Sequence, residues 1–334
     1  MPRPIPRICS EEEAGLRVLT PERRPILATL AVCLLLYIGA AAMFPNFATL
    51  RVFLNFFADN AYVGVIAVGL TIVILTGGID LSVGSMAGAT SIMVASLVAT
   101  RGWPVLAAFA VALSFGALVG LAQGLLIARY RLTPFLVTLG GLFFCRGIGL
   151  LISRESLSLT DPIVTTLSSP AVSVGNGSIS WPAIIFVLCA IVMALVLKQT
   201  RFGRTLYAIG GSADSAHLMG LPVRRTLILA YVISGFFAAM GGVLYAIYTA
   251  SGYAIAGTGL ELDAIAAVVI GGTLLSGGAG SIVGTVLGVL TIGILQTAIV
   301  FQGTLSSWWT KLVIGALLLI FVLLQRFLVG RHAR

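Results

Sequence analysis

The chain has 334 residues, of which 59% are hydrophobic and 9% charged, with 20 Lys and Arg against 11 Asp and Glu. A soluble domain carries roughly 25% charged residues, so this composition excludes a water-soluble globular protein and points to an integral membrane protein. The net charge of +9 does not indicate nucleic acid, because the Arg residues fall in short loops and tails, where anionic lipid headgroups account for them.

Residues 1–25 hold Glu11, Glu12, Glu13 and five Arg ahead of any apolar run. That is not the pattern of a cleavable signal, and the segment reads as a cytoplasmic tail. Ten apolar runs follow, at 26–44, 60–77, 82–99, 104–127, 134–152, 182–197, 226–249, 260–276, 281–301 and 308–328. A spanning helix needs about 20 residues. With the N-terminus inside, fifteen of the twenty Lys and Arg fall in cytoplasmic segments, which agrees with both termini being cytoplasmic. The expected fold is an all-α polytopic membrane protein of about ten transmembrane helices, a membrane domain over 26–328 and a short cytoplasmic tail over 329–334.

Between the first two runs, Asn46–Asn60 predicts an outer-surface helix with Leu50, Phe53, Leu54 and Phe57 on one stripe. The largest outer loop is Ser153–Trp181, with Asn176-Gly177 as a turn signal. Trp103, Trp181, Trp308 and Trp309 fall at outer ends of runs, as an aromatic belt does. The four Cys are scattered and imply neither a disulfide framework nor a zinc site; they read as small apolar fillers.

Three stretches interrupt the apolar pattern. Thr76–Ser85, TGGIDLSVGS, carries Gly77 and Gly78 as helix breakers and Asp80 or Ser82 as a cap for the next helix. It reads equally as a tight cytoplasmic turn or as a broken segment at membrane depth with Asp80 facing the bundle. Gly259–Gly280, GLELDAIAAVVIGGTLLSGGAG, places Glu261 and Asp263 at the positive end of a helix. Its Gly271-Gly272 segment echoes the first stretch as a weak internal repeat of the kind found in transporters. Lys198–Arg225 is the longest polar interruption and carries five basic residues, so it lies in the cytoplasm. Its middle, Ser212–Gly220, predicts a short helix capped by Ser212 or Asp214 and stopped by Gly220 and Pro222. By composition alone it is a solvated connector.

Arg146 sits about 18 Å along the fifth run at 1.5 Å per residue and either finds a partner there, with Asp80, Glu261 or Asp263 as candidates, or snorkels outward. Gln123 and Gln296 are also intramembrane. No phosphate-binding loop, nucleophile elbow, paired intramembrane His or chain of carboxylates occurs. These absences weigh against an ATPase, a membrane enzyme and a metal site.

TGGIDLSVGS, TPFLVTLGG followed by Arg146-Gly147, TRFGRTLYAIGG and ELDAIAAVVIGGTLLSGGAGSIVGT occur in this order. Together they resemble the permease subunits of ABC importers of the ribose/xylose/galactoside type, over roughly residues 46–328. GTLLSGG and GTLSSWWTK look closest to the galactofuranose-type permease. The resemblance implies a coupling helix over Ala213, Asp214, Ser215, Ala216, His217, Leu218, Met219 and Gly220 that docks on a separate ATPase. The family usually has Asn at position 212 and paired Ala within the helix, where this chain has Ser212 and Ser215-Ala216. Gly77, Gly78, Asp80, Ser82, Arg146, Glu261, Asp263, Gly271 and Gly272 become the candidates for translocation and gating. Implied partners are the ATPase, which would hold ATP and Mg, a second permease, identical or paralogous, and a periplasmic sugar-binding protein. No cofactor or metal is expected in this chain. A permease for branched-chain amino acids or nucleosides, whose families share the GG-x-D-L-S element, and an ion-coupled carrier are the alternatives.

Overall fold

The computed structural model describes residues 24–303 and 308–330. The expected tails therefore lie outside the described residues, apart from their helical edges at 24–25 and 329–330. Helix α1 is Arg24–Met43, α2 Leu50–Asp59 and α3 Ala61–Leu75. Helix α4, Val83–Ala95, continues as a π-helical turn over Ser96–Thr100. Then come α5 (Val105–Tyr130), α6 (Pro134–Ile152), strand β1 (Leu157–Ser158), α7 (Pro162–Ser168), β2 (Pro170–Val174) and β3 (Gly177–Ser180). The remainder is α8 (Trp181–Gln199), α9 (Arg201–Gly211), α10 (Ala213–Leu218), α11 (Val223–Thr249), β4 (Ser251–Gly252), α12 (Leu260–Ile270), α13 (Ile282–Gln302) and α14 (Trp308–Gly330). The bundle is helical, and the short antiparallel pairs β1–β4 and β2–β3 lie in its connections.

Seven of the described helices are long and apolar enough to cross a membrane. Helices α2 and α3, bent by 54° at their junction, make an eighth if counted as one span. The chain is thus a polytopic membrane protein. The expected runs 60–77 and 260–276 are realised as α3, of 15 residues, and α12, of 11 residues. At 1.5 Å per residue these rise about 22 and about 16 Å, short of a hydrocarbon core of about 30 Å. Both give way to glycine-rich irregular chain at their C-terminal ends.

The core forms around the most apolar elements. Helix α3 is buried along its whole length except at Tyr62, and α4 is nearly as enclosed. The peripheral helices α1, α6, α8 and α14 instead expose Leu35, Leu151, Leu188 and Leu312, as lipid-facing surfaces do. Helices α5 and α11 approach at backbone distance. A Cβ on Gly116 would strike the Gly235 carbonyl, one on Gly120 the Tyr231 carbonyl and one on Gly124 the Ile228 backbone. Glycine at every fourth position thus clears one stripe of α5, the device by which membrane helices pack closely.

The expected outer helix is present as α2, with the Thr49 hydroxyl accepting from the Val52 amide at its start, and it packs inward through a residue outside the expected stripe. Phe56 is enclosed, whereas Leu50 and Phe53 are exposed. Phe56 and Phe47 form an aromatic cluster with Tyr37, joined by Phe44 and Phe301, so contacts with α1 and α13 set which side turns inward. Leu54 and Phe57 line an apolar groove against α8. Cys33 and Cys145 are buried and free.

Candidate functional site

The first break, Thr76–Ser82, is not a surface turn. Gly77 turns the chain with φ +79°, and Asp80 is fully buried. Its Oδ1 accepts from the Ser82 amide at 3.0 Å and the Ser82 hydroxyl at 2.6 Å; its Oδ2 accepts from the Ser234 hydroxyl of α11 at 2.7 Å. Gln123 of α5 donates to the Ser82 hydroxyl at 3.0 Å, and Thr138 of α6 to the Ile79 carbonyl at 3.2 Å. The carboxylate thereby ties the break to α11, Gln123 ties it to α5 through Ser82, and Thr138 ties it to α6. Among the described residues Asp80 has no cationic partner, so these donors alone offset its burial.

A second irregular stretch enters from the other side. The chain after α11 runs back beside α4. Tyr253 N donates to the Ser91 hydroxyl at 3.3 Å. A Cβ on Gly88 would meet Ala254, and one on Gly84 would meet Gly257. Irregular, turn-rich backbone therefore descends α4 from near Ala95 to Gly84, about 16 Å of helix. Such backbone is tolerated at membrane depth because protein covers it.

Arg146 of α6 does not pair with a carboxylate. Its guanidinium donates to the Thr258 hydroxyl at 2.6 Å and to the Ala254 carbonyl at 3.4 Å, both on the descending segment. The three carboxylates expected as partners are engaged elsewhere. Asp80 is held by Ser82 and Ser234. Asp263 pairs with Lys311 of α14, the ion pair found among the described residues. Glu261 accepts from the Gly259 amide at 3.2 Å and lies against Gly84.

The two breaks meet each other and the polar loop. The Gly278 amide donates to the Leu75 carbonyl at 3.0 Å. Gly77 lies 3.1 Å, measured from a virtual Cβ, from the Ser276 carbonyl. Gly210, near the end of α9, has its Cα face against the Leu75 carbonyl and the Gly278 backbone, with no room for a side chain. Tyr207, one turn earlier, donates to the Gly280 carbonyl at 2.9 Å. The resemblance of the two Gly-Gly motifs along the chain thus becomes contact in space. Gly271 plays another part: its backbone abuts Gly284 of α13, while Gly272 turns the chain with φ +88°.

Three buried side-chain atoms among the described residues lack a hydrogen-bond partner: Tyr231 Oη, Glu261 Oε2 and Thr273 Oγ1. Tyr231 Oη faces Gly78, Glu261 faces Gly84, and Thr273 lies under Gly280. Each such group costs about 1–3 kcal/mol, so this unrelieved cost is concentrated at the breaks.

Helix α10 follows α9 after a single residue. The Ser212 hydroxyl accepts from the Ser215 amide at 3.2 Å, and the Leu221 amide closes the far end on the Ala216 carbonyl at 3.1 Å around Gly220, whose φ is +77°. Ala216 is buried and seats the helix, while the other residues from Ala213 to Gly220 are exposed. Leu218 is 86% exposed and Met219 67%.

A family model described as "Branched-chain amino acid transport system / permease component" matches residues 52–322. The chain belongs to this permease family. Among similar curated proteins is the inner membrane ABC transporter permease protein YjfF of Escherichia coli K12, 48% identical over 90% of this permease and 92% of that protein. The fructose import permease FruG of Bifidobacterium longum is 38% identical over 90% of each chain. The ribose import permease RbsC of E. coli K12 is 34% identical over 89% and 92%. No solved structure matches the permease. The permease is accordingly a multi-pass protein of the inner-membrane class.

Sequence reasoning missed Ser234, Thr258, Tyr207 and Gly210. Ser234 could have been found as a hydroxyl in an otherwise apolar span, but nothing local told which break it serves.

Proposed function

We propose that this permease is the passive membrane subunit of an ATP-driven importer whose cargo is a sugar, worked by a separate ATPase that grips α10. The observation that carries the reading is the pair Leu218 and Met219, held outward on a helix whose only buried residue is Ala216. Two large apolar side chains exposed on a capped helix beside five basic loop residues fit a protein partner. The chain carries no phosphate-binding loop of its own, so energy has to arrive from outside it. The relatives named for fructose and ribose support a sugar as cargo; the galactofuranose-type motifs support that sugar within the class. Neutral, hydroxyl-rich solutes suit a route of few charges. The Lys and Arg distribution supports both termini inside, and the relatives named as import permeases support a second permease beside this one and a periplasmic binding protein at the outer face. An ion-coupled carrier is disfavoured because the acceptors of Asp80 are filled by its own neighbours. Uptake by inverted-orientation-controlled vesicles carrying the complete importer should require ATP and survive collapse of ion gradients. Uptake that follows the gradient and ignores ATP would sink the proposal.

Arg146 belongs to the route in this reading. It stands at membrane depth on α6, a helix that exposes Phe143, Phe144 and Leu151 in the isolated chain. A guanidinium there must face water or protein, which favours α6 looking onto the pathway and the second permease. Arg146→Met keeps the stem and removes the bonds to Thr258 and Ala254. We expect uptake to fall about tenfold, the equivalent of about 1.4 kcal/mol, with normal membrane insertion. Unchanged uptake would make Arg146 a scaffold residue only.

A further inference from the structure

We infer that Gly210 and Tyr207 of α9 are the positioning residues through which displacement of α10 reaches both breaks; this rests on the docking role proposed for α10. Helix α10 joins α9 through Ser212 alone, so movement of one is imposed on the other. Helix α9 grips the second break at two points one turn apart: Tyr207 holds the Gly280 carbonyl at 2.9 Å, and the Gly210 backbone lies on Gly278. Gly210 also rests on the Leu75 carbonyl, where the first break begins. The two breaks are themselves joined by the Gly278 amide on Leu75 and by Gly277 against Gly77. Apart from the Tyr207 hydroxyl, backbone meets backbone at these contacts, so no flexible side chain absorbs a push there.

The receiving segments are built to change course. Gly77, Gly272, Gly277 and Gly278 all have φ between +77° and +88°, a conformation that costs glycine alone nothing. The three unpartnered buried atoms all touch these segments or the turn that follows the first of them, which marks where partners are exchanged between states. Helix α11, the other neighbour of α10, meets the first break through Ser234 on Asp80, but it is packed against α5 along the glycine stripe.

The test follows the breaks themselves and needs no knowledge of the cargo. Single cysteines Thr76→Cys and Ser276→Cys, in a background with the native cysteines replaced, report on the first and second break. They are labelled with a maleimide in the reconstituted permease–ATPase complex, with and without ATP and vanadate. Nucleotide is expected to change both labelling rates about fivefold or more, the scale of coupling between sites. Gly210→Ala should keep the ATPase bound yet lose the response at both reporters. Tyr207→Phe, which adds no bulk, should weaken the response at Ser276→Cys. Gly211→Ala, whose Cβ meets nothing within 4 Å, should leave both responses intact. A normal response in Gly210→Ala, or equal loss in Gly211→Ala, overturns the inference. If Gly210→Ala does not assemble, Tyr207→Phe decides, and an unchanged response there overturns it. A complex whose unaltered breaks ignore nucleotide while the ATPase is bound overturns the inference but leaves docking standing; failure of the ATPase to bind overturns both.

Discussion

Replacing Leu218 and Met219 together by Asp is expected to weaken ATPase binding by at least about a hundredfold and to abolish ATP-driven uptake. Fully burying a Leu or Met side chain is worth about 1.5–3 kcal/mol, so the pair can supply about 3–6 kcal/mol at an interface. A hundredfold loss corresponds to about 2.8 kcal/mol, which lies below that range and allows for incomplete burial. The substituted chain should still fold and insert, because neither side chain packs against the rest of the bundle. Co-purification of the ATPase and uptake in vesicles are the two measurements. An enlarged residue at Ala216 should also fail, but for a different reason: Ala216 is buried beneath α10, and a larger side chain unseats the helix. The two classes separate by thermal stability of the purified permease, lowered for Ala216→Leu and unchanged for the Asp pair. Retained ATPase and uptake in the Asp pair would falsify docking at α10.

Asp80→Ala is expected to lower stability by about 3–6 kcal/mol. It strips the acceptor from the Ser82 amide, the Ser82 hydroxyl and the Ser234 hydroxyl. Hydrogen bonds to a charged group are worth about 1.5–3 kcal/mol each, and buried donors left unmet add their own cost. Gln123 can still hold Ser82, which keeps the sum from being fully additive. Since folded proteins are stable by only about 5–15 kcal/mol, this variant should accumulate poorly. Asp80→Asn should be milder, about 1–2 kcal/mol. Its carbonyl can keep the Ser82 donors while its amide donates to a Ser234 hydroxyl turned the other way. Denaturation midpoints in detergent measure both. Equal stability of the Ala variant and the parent would show that the network contributes nothing.

The membrane class and the helical pattern were legible in the sequence because apolar runs of spanning length have few other uses. The short helix at Ala213–Leu218 was legible from its cap and its Gly-x-Pro stop, and Asp80 and Arg146 stood out as charges in apolar surroundings. What could not be read was who meets whom. Arg146 was expected to seek a carboxylate, yet its partners are the Thr258 hydroxyl and a backbone carbonyl, groups that carry no charge signal. The inward packing of α2 through Phe56 was likewise unread, because Phe47 and Phe56 meet α1 and α13, hundreds of residues away in the latter case. Ala216 was grouped with the docking surface because adjacent positions of a six-residue helix cannot be told apart until something covers one of them.

The shortness of α12 bears on how the polypeptide enters the bilayer. Eleven helical residues flanked by irregular chain cannot leave a translocation channel as an independent crossing, since about 20 are needed and bare backbone is intolerable among lipid tails. The region from Ser251 to Ser281 has to wait at the channel until α4 and α13 are present to shield it. Biosynthesis of this half is therefore an assembly of several segments at once, and a ribosome stalled before α13 emerges should leave Asp263 accessible to water-soluble reagents.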